Sequence, residues 1–277
     1  MATEQQSRPL PWMPRLDSIE RLGRVTIDGV KEFGYAAALF FESLYWLILG
    51  RRWRQKVRMS SVVSEAMQIG ILALPIVSVL ALTIGIMLAI QGIYTLSLFG
   101  AESRVTLGIA LSVTREFAPM ITGILVAGRS GSALAARLGT MNINQEIDAL
   151  RVMGINPVRF LVAPSLVAMM VMVPLLTFWA DLVGLFGAGL YVSIDLGMSF
   201  GAYFDEVLNS ITVDDFSHGL GKSIIFAALI TLVAVVNGAT VTGGAEGVGR
   251  ATTRSVVQAI AGILITDMLF VFIVTRG

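Results

Sequence analysis

Five ionisable side chains lie inside stretches of the sequence that are otherwise apolar: Arg115, Glu116, Asp181, Lys222 and Asp267. A charge inside hydrocarbon is costly, so it usually faces other helices or a wet cavity, where it finds a partner. Arg115 and Glu116 are neighbours, and successive residues of a helix point about 100° apart. Each therefore needs its own partner, and the candidates are Lys222, Asp267 and Asp181. The group forms either a polar patch that can meet a phosphate or a buried network that fixes helix packing.

The rest of the composition restricts the chemistry further. The chain has no cysteine and a single histidine, His218, which excludes a thiol nucleophile and a multi-histidine metal site. The sequence Gly221-Lys222-Ser223 resembles the end of a phosphate-binding loop, but Phe216 stands where that loop needs its first glycine. We therefore predict no catalytic residue, no metal site and no ATP site, and a net charge of +1 gives no sign of a nucleic-acid partner.

The elements that carry these charges are membrane helices. Of the 277 residues, 55% are hydrophobic and 14% are charged, against about 25% charged in soluble domains. Five stretches are long enough to cross a bilayer, which takes roughly 20 apolar residues. We predict an all-α polytopic membrane protein with five transmembrane helices within 66–101, 105–128, 160–181, 222–245 and 255–275.

Residues 1–60 form a separate N-terminal region, ahead of a transmembrane domain over 61–277. The segment 30–50 is apolar and aromatic but contains Glu32 and Glu42, and a basic cluster follows at 51–58. We predict that this region forms helices that lie in the membrane interface or dip into it. A sixth full span is the alternative.

Positive charge sets the orientation, since cytoplasmic loops carry the excess of Lys and Arg. The regions 51–58, 129–159 and 250–254 contain eleven such residues, whereas the opposite side has Arg104 and Arg276 alone, with an acidic loop over 195–215. The N-terminus is therefore predicted to be cytoplasmic and the C-terminus to lie outside.

The cytoplasmic loop over 129–156 is long for a connection between adjacent membrane helices. From Asn144 onward it has helical character, because Ile147, Leu150 and Met153 recur on one face, and Gly154 suits the end of a helix. A short amphipathic helix of this kind fits a partner's groove. A solvated connector on the membrane is the alternative.

Five motifs in one order carry a resemblance to a known family. They are Arg115-Glu-Phe-Ala-Pro119, Ala127-Gly-Arg-Ser-Gly-Ser-Ala133, Glu146-Ile-Asp-Ala-Leu-Arg-Val-Met-Gly154, Asp215-Phe-Ser-His-Gly-Leu-Gly-Lys222-Ser, and Gly249-Arg-Ala-Thr-Thr-Arg254-Ser-Val-Val. Together they resemble the MlaE (YrbE) permeases of MCE-associated lipid ABC transporters, from about residue 15 to the end of the chain.

The resemblance implies a homodimeric permease in the bacterial inner membrane that moves phospholipids between inner and outer membrane. Each copy would sit on an ABC ATPase subunit, which binds ATP and Mg, and dock beneath an MlaD-like MCE-domain protein in the periplasm. This chain would hold a lipid and no cofactor of its own, and would not be an enzyme. A proton-coupled secondary transporter of lipids or other amphiphiles, working through Glu116 and Asp267, is the alternative.

The resemblance also assigns residues to two sites. Asp181 lacks its support, so a packing role is favoured there, and the family often has Tyr where Phe99 stands. Arg129 is expected to touch the ATPase or to reach a lipid phosphate. The lipid cavity or gate is expected to include Arg115, Glu116, Lys222, Asp267, Leu96 and Phe99, and the ATPase-coupling residues are expected to be Glu146, Asp148, Arg151 and Arg129.

Overall fold

The computed structural model of the chain describes residues 14–49 and 58–276. Within these ranges it is all helical, without a strand. The α-helices are α1 Pro14–Leu49, α2 Met59–Gly70, α3 Leu74–Ser97, α4 Val105–Ser112, α5 Ala118–Val126, α6 Ser132–Ile143, α7 Glu146–Val152, α8 Ala163–Asp195, α9 Phe200–Ser210, α10 Val213–Ala239 and α11 Gly244–Arg276. Three π turns, Val113–Phe117, Ala127–Gly131 and Val158–Val162, join α4 to α5, α5 to α6, and lead into α8.

All five predicted spans are present as helical rods, and each is longer than its apolar stretch. By length and composition, six rods among the described residues can cross a membrane: Gly29–Leu49, Met59–Ser97, Glu102–Ile143, Val158–Asp195, Val213–Ala239 and Gly244–Val274. The fourth predicted span begins at Val213 rather than Lys222. Lys222 therefore lies in the third turn of its helix and not at the start.

The core forms around α8, which packs against α3, α5 and α10. Small residues allow α3 and α8 to approach each other closely. A Cβ atom built at Gly85 of α3 would lie 2.0 Å from the carbonyl oxygen of Gly184 on α8. Membrane helices gain much of their packing energy from such contacts, because lipid supplies no hydrophobic force between helices.

The described part of the N-terminal region up to Leu49 is one continuous helix, α1, and its described contacts include three at one end of the bundle. Glu32 pairs with Arg254 of α11, Glu42 accepts a 2.8 Å hydrogen bond from Asn156 ahead of α8, and Leu39 packs beside Leu138. Ten residues of helix rise about 15 Å, yet Glu32 and Glu42 both meet the predicted cytoplasmic ends of other helices. By length and composition Gly29–Leu49 can also cross a membrane, so the interfacial helix stays a prediction. The neighbouring basic positions 51–57 lie outside the described residues.

The predicted acidic loop over 195–215 contains a helix, α9, with Ser199 as its N-cap. α9 packs against α4 and α8. Its Tyr203 is fully buried, and a Cβ atom at Gly189 of α8 would lie 2.7 Å from the Tyr203 ring. Burial, with a smaller effect of Glu206, raises the pKa of the Tyr203 phenol, so this residue acts as a neutral packing group.

The prediction of a loop over 129–156 is wrong for the residues up to Ile143, because the π turn Ala127–Gly131 and α6 continue the second span. The apolar residues Leu134, Ala135 and Leu138 bury one face of α6 against α10, which explains why the helix does not stop at the membrane surface. The break comes at Gln145, which has a φ of 59°. The predicted short amphipathic helix then follows as α7.

Candidate functional site

The π turn Val113–Phe117 positions the adjacent charges Arg115 and Glu116. Such turns insert one extra residue into a helix and are frequent at functional sites. Pro119 has no N–H, so it cannot bond the carbonyl of Arg115 four residues earlier. The Lys222 ammonium donates to that carbonyl oxygen instead, at 3.1 Å.

Lys222 of α10 is the centre of the site, and its side chain is only 2% exposed. Its ammonium donates a 2.6 Å hydrogen bond to Oε2 of Glu116 and lies 3.0 Å from Oδ1 of Asp267 on α11. The same nitrogen sits 5.6 Å from the ring centre of Phe270, which also meets His218 edge to face. One cation thus faces two carboxylates from different helices, and Glu116 meets Lys222, one of its three candidate partners.

Arg115 pairs with Asp215 rather than with any of the three predicted partners. Asp215 also accepts hydrogen bonds from the backbone N–H and hydroxyl of Thr212, in a capping box that starts α10. Asp215 and Lys222 are seven residues apart and so share one face of α10. That spacing, opposite the neighbouring pair Arg115 and Glu116, is the signal that could have identified Asp215 from the sequence.

Asp181 stands apart from this cluster. It is buried in α8, its Oδ1 has no hydrogen-bond partner, and it makes no ion pair among the described residues. The structure therefore does not pair it with Arg115 or Glu116. This placement is compatible with the favoured packing role.

The two apolar candidates lie at the C-terminal end of α3. Leu96 is partly buried against the core, while Phe99 lies two residues after Ser97, the last residue of α3, and is 78% exposed. On a single copy, Phe99 is therefore a surface residue. A cavity that encloses it needs another surface.

Three of the four predicted coupling residues lie together on α7. Arg151 donates a 2.8 Å hydrogen bond to Asp148, and Glu146 accepts one of 3.1 Å from Asn144, all on the exposed side. Ile147 and Leu150 are buried on the opposite face, whereas Met153, just past the helix end, is exposed. Arg129 is not with them, because it lies in the π turn at the far end of α6.

These features define a multi-pass α-helical membrane protein with charges gathered inside its helical bundle. Residues 62–273 match the family of the permease MlaE, and the chain belongs to this family. The match includes the whole charge cluster and α7.

Relatives with names agree with this assignment. The chain is 32% identical to the intermembrane phospholipid transport system permease protein MlaE of Haemophilus influenzae, over 91% of this chain and 95% of the relative. It is 31% identical to a probable ABC transporter permease protein of Rickettsia typhi, over 90% of this chain and 96% of the relative. It is also 36% identical to the chloroplastic protein TRIGALACTOSYLDIACYLGLYCEROL 1 of Arabidopsis thaliana, over 67% of this chain and 53% of that protein.

Proposed function

We propose that this chain is the transmembrane subunit of an ABC transporter that moves phospholipids between the inner and the outer membrane. The observation that carries the proposal is Lys222, buried between Glu116 and Asp267 inside the bundle of an MlaE-family permease. The name of the Haemophilus relative supports the substrate class, and that of the Rickettsia relative supports the ABC system.

ATP would be hydrolysed by a separate ATPase subunit, which would also bind Mg. The Gly-Lys-Ser sequence of this chain lies within α10, where the lysine is occupied by two carboxylates. A phosphate-binding loop needs free backbone N–H groups and a free lysine. The geometry thus supports a transport role without enzymatic chemistry in this chain.

The coupling residues have a direct mechanical connection to the charge cluster. α7 contacts α6, and α6 belongs to one continuous rod, Glu102–Ile143, that also contains Glu116. From Ile143 back to Glu116 the rod measures about 40 Å at 1.5 Å per residue. Closure of an ATPase that binds Glu146, Asp148 and Arg151 would move this rod, and Glu116 would move with it.

The lipid would enter a cavity completed by a second copy of the chain. α3 and α11 expose long apolar faces, which on α11 include Leu264, Ile265, Met268 and Leu269. A homodimer would cover part of these faces and close a cavity beside Leu96 and Phe99. Arg115, whose side chain is 45% exposed, would meet the lipid phosphate, and an MCE-domain protein would receive the lipid at the periplasmic side.

The contacts of α1 at one end of the bundle support five spans in the bacterial inner membrane, with the N-terminus cytoplasmic and the C-terminus periplasmic. A cysteine placed near the C-terminus would react with an impermeant thiol reagent added to intact spheroplasts. Protection of that cysteine would refute this topology. The chain has no cysteine of its own to interfere.

A proton-coupled secondary transporter is the second candidate, and Asp181 favours it as a buried carboxyl group whose Oδ1 has no hydrogen-bond partner among the described residues. The two functions are separated by reconstituting the permease with its ATPase in proteoliposomes that contain fluorescent phosphatidylglycerol. The proposal predicts transfer that requires ATP and persists when an ionophore collapses the proton gradient. Transfer that ignores ATP and stops with the ionophore would establish the second candidate instead.

A further inference from the structure

A pocket with charged and apolar walls lies at the predicted cytoplasmic end of the bundle, away from the Lys222 cluster. It has a volume of about 270 Å³ and opens between α2, the π turn Ala127–Gly131, α6 and α8. Arg129 and Arg137 contribute its charge, and Gln68, Ser130 and Ser165 add polar groups. Ile69, Leu72, Leu134 and Met169 form an apolar wall.

The two arginines have more N–H donors than the described residues supply acceptors. Arg137 pairs with Glu65 and lies 3.3 Å from the Ser165 hydroxyl, but its buried Nε has no acceptor. Arg129 makes no ion pair with any described residue, and its Nη1 is buried without an acceptor. A buried donor without a partner is destabilising. The pocket therefore has an excess of one positive charge and two unused donors that point to an anionic ligand.

The depth of the pocket matches the phosphate layer of the membrane. Arg129 lies 24 residues after Val105, the first residue of α4, which is about 36 Å along the rod. The hydrocarbon layer is about 30 Å thick, so Arg129 reaches the headgroup level of the cytoplasmic leaflet. Leu72 is exposed beside the pocket, where an acyl chain can follow the apolar wall.

The position in a π turn is a further sign that Arg129 is placed for a ligand. The extra residue of the turn changes the direction in which Arg129 leaves the helix. Arg115 sits at the same central place in its own π turn.

We propose that Arg129 and Arg137 bind the phosphate of a phospholipid headgroup from the cytoplasmic leaflet, at a site separate from the central charge cluster. A guanidinium presents its N–H groups in a fork that fits two phosphate oxygens. The free Arg129 guanidinium provides most of the attraction, and Arg137 contributes the Nε that Glu65 and Ser165 leave unused. This site goes beyond the proposed function, since it needs no transport to be occupied.

The test is a lipid titration by native mass spectrometry of the purified permease with phosphatidylglycerol. Arg129→Gln keeps hydrogen-bonding capacity but removes the charge, and we expect it to weaken binding at this site about tenfold, which corresponds to about 1.4 kcal/mol. Arg250→Gln is the matched control. Arg250 is an exposed arginine on the same side of the membrane that pairs only with Glu246 among the described residues, so this variant should bind lipid as wild type does.

A second variant separates a loss of lipid binding from misfolding caused by the loss of Arg129. Ala133 is exposed at the pocket, so Ala133→Glu leaves both arginines in place and adds an opposing charge. It should also weaken phosphatidylglycerol binding about tenfold. Wild-type affinity in either Arg129→Gln or Ala133→Glu would overturn the proposal.

Two further arms identify the source of the phosphate. Inorganic phosphate at millimolar concentration should not displace the lipid, because it lacks the acyl chain that follows the apolar wall. Displacement by inorganic phosphate would show a site for a free anion and overturn the lipid assignment. Unchanged lipid binding with lost ATPase binding in Arg129→Gln would show that the arginine belongs to the ATPase interface instead.

Discussion

Lys222 on α10 donates a 2.6 Å hydrogen bond to Glu116 in the π turn before α5, across 106 positions of sequence. The same ammonium also bonds the Arg115 carbonyl oxygen that Pro119 leaves free. The helix irregularity and the ion pair thus depend on each other. A shift of α10 relative to the rod Glu102–Ile143 would break both contacts together. A movement of these helices would therefore change the ion pairing of Lys222.

Removal of the Lys222 charge should destabilise the protein more than removal of the Glu116 charge. Lys222→Met leaves two carboxylates and a carbonyl without their cation, a loss of about 3 kcal/mol or more for a buried pair. Glu116→Gln leaves Lys222 with Asp267 and the carbonyl. Thermal unfolding of the two variants in detergent measures the difference, and equal midpoints would contradict the central role of Lys222.

Gly219 should tolerate no side chain. A Cβ atom there would lie 2.2 Å from the carbonyl oxygen of Thr114, beside Arg115, so Gly219→Ala must push α10 away from the π turn. Gly221→Ala is the control on the same helix, because its Cβ atom meets nothing within 4 Å. Alanine at 221 should be neutral or stabilise by up to about 1 kcal/mol through helix propensity. A normal melting temperature for Gly219→Ala would show that α10 and the π turn Val113–Phe117 are not closely packed.

The Arg115–Asp215 pair should contribute modestly to stability, because Arg115 is half exposed. We expect a coupling energy of about 1 kcal/mol in a double-mutant cycle of Arg115→Gln and Asp215→Asn. Asp215→Asn alone should lose more, since Asp215 also caps α10 through Thr212. Strictly additive effects of the two substitutions would mean that the pair contributes nothing.

Sequence patterns predict the membrane helices and α7 because apolar length and amphipathic spacing act locally. They miss the helical course of 129–143, since Leu134, Ala135 and Leu138 become buried only when α10 packs against them. They also miss Asp215 as the partner of Arg115, because that pairing depends on how α10 crosses the π turn. Two features of the cluster are visible in the sequence: the carbonyl that Pro119 leaves free, and the seven-residue spacing of Asp215 and Lys222. Neither feature alone predicts the cluster.

Charge reversal on α7 should weaken the attachment of the ATPase. Glu146→Lys replaces an exposed acidic group at the start of the proposed coupling helix and should reduce co-purification of the ATPase several-fold. Glu246→Lys is the control, because Glu246 is an exposed acidic residue at the start of α11, which is also predicted to be cytoplasmic. Equal recovery of the ATPase with both variants would place the docking surface elsewhere.

The most direct test of the central proposal is the rate of ATP-driven phosphatidylglycerol transfer by complexes containing Glu116→Gln, matched to wild type for ATPase content. If Glu116 and Lys222 form the gate, the variant should still assemble with the ATPase but transfer lipid roughly tenfold more slowly, which corresponds to about 1.4 kcal/mol in the barrier. Transfer at the wild-type rate would show that the buried charges only hold the helices together, and would contradict the proposed gate.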